Sequence, residues 1–163
     1  MSSQTSGGAR AYARQIGDDI EHRVASTIAP VALVPDDVVE WHDAVARRAF
    51  DDRAAEVLTT ASAPVVPRGS TVEIKSAREV TSNGADTRAG RWYFKRKQHG
   101  KLVRVGGWYL LVVYLDGFER EIVDILAIPA SIIDELIGDR WHDNGRREAT
   151  QLSWTRLLDG GER

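Results

Sequence analysis

Thr71-Val72-Glu73-Ile74-Lys75-Ser76-Ala77 is the stretch on which the reading of this chain turns. Successive side chains of a strand point to opposite faces. Val72 and Ile74 therefore share one face, and Glu73 and Lys75 share the other. A carboxylate and an ammonium then stand side by side on a strand whose back is apolar. A carboxylate can hold a divalent metal through oxygen. A lysine beside it can position a water or neutralise charge on a phosphate. The same pattern also suits a half-buried strand with an exposed ion pair, which is worth little energetically, so the surroundings decide between the two.

Upstream, Pro64, Pro67 and Gly69 mark the loop that delivers the chain into this strand. Farther back, Ile16, Ile20, Val24 and Ile28 recur at i, i+4 and predict a helix from about Ala11 to Ile28, ended by Pro30. Glu21 falls at the border of that stripe. Residues 1–10 are small and polar and are expected to form a disordered leader, with a single domain over 11–163. Between the helix and the central strand the pattern is ambiguous. Val31–Val34 fits a short strand. Val38, Trp41, Val45, Ala49, Phe50, Ala54 and Leu58 continue a helical stripe, predicting a long helix from Pro35 to about Thr59. The competing reading is a strand over 38–43 followed by a shorter helix from about Arg47.

Downstream, Thr81–Asp86 is rich in turn residues. Arg91–Phe94 is expected to be a strand, and Lys97–Val105 a helix stopped by Gly106-Gly107. Trp108–Leu115 is an apolar run of eight, the pattern of a central strand buried on both faces. Asp116-Gly117 turns the chain, and Glu121–Ile128 is the next strand. Ser131 is placed to cap a helix over 132–137, with Asp134 in capping-box position. Residues 138–150 are charged and expected to be irregular, and 151–158 form a final strand or short helix. The order of elements predicts an α/β domain with a mixed β-sheet flanked by helices.

With 163 residues, 42% of them hydrophobic and 28% charged, the chain has the make-up of a single globular domain. It has no apolar run of membrane-spanning length. The absence of cysteine excludes disulfides and thiolate metal sites, and a cytoplasmic location is the default. His22, His42, His99 and His142 lack paired metal spacing and are expected at the surface. Net charge is only −2. From Lys75 to Arg104, however, nine basic residues stand against Glu79 and Asp86, an excess of +7. Arg78, Arg91, Lys95, Arg96, Lys97 and Lys101 fall in this segment, with Trp92, Tyr93 and Phe94 interleaved. A basic surface of that kind suits a phosphate backbone.

The order of these motifs resembles the PD-(D/E)xK, or restriction-endonuclease-like, nuclease superfamily. The resemblance rests on Val72-Glu73-Ile74-Lys75, then Gly90–Phe94, then Lys97-Gln98-His99, then Gly107–Tyr114. Trp41-His42-Asp43-Ala44 and Leu152-Ser153-Trp154 are similar to segments of small archaeal members. The resemblance implies a metal-dependent DNA endonuclease using Mg²⁺ or Mn²⁺. Glu73 and Asp43 would hold the metal, and Lys75 would orient the attacking water. Glu21 would act as a first-helix glutamate, and Gln98 would help align substrate. It implies DNA as the partner, bound along residues 75–104, and leaves room for a homodimer. The chain departs from the family in having no acid between Pro64 and Glu73. Asp51, Asp52 and Glu56 are alternatives to Asp43. If none of these acids serves, the fold becomes a catalytically inactive nucleic-acid-binding module.

Overall fold

Ile16, Ile20 and Val24 recur every fourth residue, which gives a helix one apolar face to bury. The computed structural model describes residues 5–28, 31–35, 37–38, 41–47, 50–51 and 65–158. In it, all three residues are buried on α1 (Thr5–Arg23) and the π turn that continues it over Val24–Ile28. The helix starts at Thr5, inside the stretch expected to be a leader. Five strands follow: β1 (Val31–Leu33), β2 (Ala44–Ala46), β3 (Phe50–Asp51), β4 (Val65–Val66) and β5 (Thr71–Arg78). Next come the hairpin β6 (Val80–Asn83) and β7 (Asp86–Ala89), then β8 (Arg91–Lys95), which passes without a loop into α2 (Arg96–Arg104). The chain continues through β9 (Trp108–Tyr114), β10 (Ile122–Pro129), α3 (Ala130–Ile137), β11 (His142–Asp143) and β12 (Glu148–Ser153). Among the described residues no helix is long and apolar enough to cross a membrane.

The main sheet has the order β1-β2-β5-β9-β10. β5 and β9 are parallel, and the other neighbours are antiparallel. The sheet is therefore mixed, as expected, and the apolar run of β9 lies inside it with six of its seven residues buried. Alternation along β5 and β9 divides the core. Val72, Ile74, Leu110 and Val112 pack with Ile16, Ile20 and Val24 of α1. Ala77, Tyr109, Leu111 and Val113 face the other way, toward Leu102 of α2 and Ile133 of α3. Glu73 and Lys75 share the parity of Ala77 and so lie on the α2 side.

A second sheet, β11-β12-β8, sets the position of α2. Trp92 and Phe94 of β8 are fully buried, while Arg91, Tyr93 and Lys95 alternate outward. The Trp92 indole donates to the Val112 carbonyl at 3.0 Å, and the Trp154 indole donates to the Glu79 carbonyl at 2.7 Å. Gly90 permits β8 to approach β5. A Cβ there would lie 1.9 Å from the Arg78 carbonyl oxygen, a distance no side chain tolerates.

Several expectations are corrected. The long helix from Pro35 is absent over the described part of its range. Residues 44–46 and 50–51 are strands, and Val38 is exposed rather than on an apolar stripe. The rival strand over 38–43 is also displaced, since pairing begins at Ala44. Any helix over 52–59 falls outside the described residues. Ser131 makes no cap hydrogen bond, and α3 begins two residues earlier, at Ala130 after Pro129. The stretch 138–150 is partly ordered as the β11–β12 hairpin.

Candidate active site

Asp43 and Glu73 are far apart in sequence and meet across the β2–β5 junction of the main sheet. β2 pairs with β5 with Ala44 opposite Val72, and the Asp43 amide donates to the Val72 carbonyl at 3.1 Å. β2 begins at this point, so the next amide on that edge of β5 has no strand to meet. The Ile74 N–H instead donates to Asp43 Oδ2 at 2.7 Å. The Asp43 side chain thus completes the ladder and is held beside Glu73.

Glu73 forms the floor. It is 1% exposed, and one carboxyl oxygen accepts from Lys75 Nζ in a short ion pair. Lys75 Nζ also donates to Gln98 Oε1 of α2 at 3.2 Å. The second carboxyl oxygen, Oε2, is buried without a hydrogen-bond partner. Burial pushes the Glu73 carboxyl up to about 8; Lys75 opposes this, and the Asp43 carboxylate adds to it. Two carboxyls held this close are reconciled by a proton or a cation, because neither offers a donor when ionised.

The cleft above this floor has a volume of about 760 Å³. Its α1 wall carries Arg14, Asp18 and Glu21, and its opposite wall carries Lys95, Gln98 and Arg147. Glu21 is raised to about 8, first by burial and then by the charges of Asp43, Asp18 and Glu73. Glu21, Asp43, Glu73, Lys75 and Gln98, the five residues singled out in the sequence, therefore line one cleft. Of the alternatives, Asp51 lies in β3, while Asp52 and Glu56 lie outside the described residues.

Lys95, Gln98 and Arg147 also line a second groove of about 600 Å³, so the two spaces adjoin along these side chains. Lys95, Arg96, Lys97 and Lys101 gather there as expected, joined by Arg146, Arg147 and Trp41. Burial lowers the Lys95 pKa, and the charges of Lys75 and Arg147 lower it further. Arg78 and Arg91 stand apart from both spaces. Arg78 ends β5 and pairs with Asp116 at 3.3 Å, and Arg91 is at the far end of β8 from Lys95. The two arginines missed in the sequence had a detectable signal. Asn144-Gly145 is a hairpin dipeptide, with Gly145 at φ 79°, and it presents Arg146 and Arg147 at the groove.

His99 corrects the expectation of a surface histidine. It is 2% exposed, with Nδ1 2.9 Å from the Tyr109 hydroxyl and Nε2 3.0 Å from Asp134 Oδ1. Asp134, expected to support a cap, instead ties α3 to α2 through this ring. Burial keeps the His99 pKa below its usual value despite Asp134. The ring locks α2, and with it Gln98, against β9.

A mixed sheet flanked by helices, with two carboxylates and a lysine brought together at its middle strand β5, defines a restriction-endonuclease-like fold. The chain belongs to the PD-(D/E)XK nuclease superfamily: the family model for that superfamily's domain matches residues 8–159. No curated protein and no solved structure matches the chain.

Proposed function

We propose that this protein is a divalent-metal-dependent deoxyribonuclease that hydrolyses phosphodiester bonds in the cleft between α1 and α2. One observation carries the reading: Asp43 and Glu73 converge across β2 and β5 with Lys75 between Glu73 and Gln98. The residues present fit Mg²⁺ or Mn²⁺. The unpartnered Glu73 Oε2 lacks a positive partner, and both side chains offer the hard oxygen donors these ions prefer. Among the described residues no group of three or more acids and histidines forms a metal cage. That suits an ion held by one or two carboxylates, with water and phosphate in its other positions.

Asp43 and Glu73 would hold the metal, which when bound supplies Lewis-acid polarisation of the phosphate and a more acidic water. Lys75 orients the nucleophilic water and stabilises charge developing on the phosphate oxygens. Gln98 fixes Lys75 Nζ by accepting from it. Glu21, whose carboxyl burial and the neighbouring acids push up, faces the cleft from the α1 wall and would hold or pass a proton there. The groove cations Lys95, Lys97, Lys101, Arg146 and Arg147 hold the backbone by charge, a contribution that weakens as salt rises. The test is incubation with supercoiled, linear and branched DNA, with and without Mg²⁺ or Mn²⁺. Metal-dependent nicking lost in Glu73→Gln supports the reading, and metal-dependent DNA binding with no product under any condition overturns it.

A further inference from the structure

We infer that the groove beside the catalytic cleft receives a single-stranded segment, with Trp41 as the platform on which one base stacks; this rests on the nuclease reading above. Three observations lead there.

The first is depth. Glu73 is 1% exposed at the bottom of the cleft, beneath α1 on one side and α2 on the other. A phosphate must descend between two walls to reach it. A duplex carries its phosphates on a broad convex surface, so bringing one this far down requires the DNA or the cleft to deform. A single strand bends into such a cleft at little cost.

The second is position. Trp41 lies two residues before Asp43, on the segment that brings that carboxylate to the site, and lines the basic groove that adjoins the cleft. A base resting there belongs to a nucleotide next to the scissile phosphate.

The third is the setting of the ring. His42 packs edge-on against Trp41 with centroids 4.5 Å apart, which fixes the indole. The ammonium of Lys101 stands 6.0 Å from the ring centroid, over its face. A cation over an indole face holds that face open to exchange: a base takes the place of the ammonium, and Lys101 turns to the phosphate of the same nucleotide. Basic side chains tracking a backbone beside an aromatic platform are the two parts that sequence-tolerant single-strand binding requires.

The experiment is fluorescence anisotropy of the full chain in metal-free buffer. The probes are an oligothymidylate of about 16 nucleotides and a duplex of equal length. The wild type is expected to bind the single strand more tightly than the duplex. Trp41→Ala should lower single-strand affinity roughly 5- to 150-fold, the range for losing one stacked base, and collapse the preference. Trp41→Phe should retain most of it. Lys97→Ala should weaken both probes in proportion. If Trp41→Ala fails to fold, Trp41→Leu against Trp41→Phe makes the same comparison at similar bulk. Wild-type preference for duplex, or equal losses on both probes in the Trp41 variants, overturns the inference. A wild type that cleaves duplex with metal but shows no single-strand preference removes this inference alone. One that neither binds nor cleaves any DNA removes the nuclease reading as well.

Discussion

Replacing Glu73 with Gln should stabilise the metal-free fold at alkaline pH while leaving it nearly unchanged at pH 5. The folded carboxyl titrates at about 8 rather than the ordinary 4.5 because it is buried. Below about pH 4.5 it is neutral in both the folded and unfolded states, and no penalty applies. As pH rises from there to about 8, the folded chain binds a proton that the unfolded chain has lost, so stability falls. At about 1.4 kcal/mol per pH unit the ceiling on that loss is about 5 kcal/mol. Buried sites respond as though their effective dielectric were about 20, which brings the expected difference to about 1–3 kcal/mol. For a chain of this length each kcal/mol moves the Tm by about 2–4 °C. Glutamine copies the neutral carboxyl and still offers an oxygen to Lys75. His42 and His99, both shifted down by burial, are common to the two proteins and cancel in the comparison. The assay is thermal melting of wild type and variant in EDTA from pH 5 to 9. The Tm difference should be near zero at pH 5 and grow in favour of the variant by pH 9. A variant less stable at pH 9, or a difference that ignores pH, would show that Glu73 is an ionised strut whose pairing with Lys75 holds the fold.

Three further outcomes are expected. Lys75→Ala should abolish cleavage at saturating DNA with affinity nearly kept, whereas Lys97→Ala should weaken binding and lower its salt slope by about one; rates at saturation beside salt titrations separate the two. Val112→Asp places an unpaired charge on a fully buried position of β9 and should leave no cooperative melt by circular dichroism. Gly90→Ala drives a methyl into the Arg78 carbonyl and should cost about 1–3 kcal/mol or more in urea unfolding, with the loss concentrated where β8 meets β5.

Parts of the fold were legible because local pattern and tertiary packing agree there. The Ile16-Ile20-Val24 stripe has a single solution, and so does the uninterrupted apolar run of β9. The parity of Glu73 and Lys75 follows from strand geometry and holds. The segment around β2 was misread because its local signal opposes its environment. Ala44 and Ala46 have weak strand propensity and favour helices, and Val45 alone between them favours a strand. They are strand because β1 and β5 supply the ladder and because the α1 core leaves room there only for small side chains, with Ala44 and Ala46 buried. Asp43 enters as a candidate through the resemblance and not through spacing, since its meeting with Glu73 depends on that pairing. His99 was misplaced because only the assembled fold brings Tyr109 and Asp134 to its two nitrogens.

The short reach of β2 has a consequence for when the protein is armed. Glu73 and Lys75 are anchored in β5, which runs beside β9 for seven residue pairs. Asp43 is joined to them through only two paired positions, Ala44 with Val72 and Val45 with Thr71. Local opening begins where few contacts must be given up, so the two-pair junction between β2 and β5 lets go before the seven-pair junction between β5 and β9. Asp43 then leaves, and the Ile74 amide loses its acceptor, while β5, β9 and β10 remain assembled. Half of the acid pair is therefore on a latch. On the proposed reading, a chain partly unzipped at this junction keeps its folded core and loses its acid pair, so cutting would fail before the fold does.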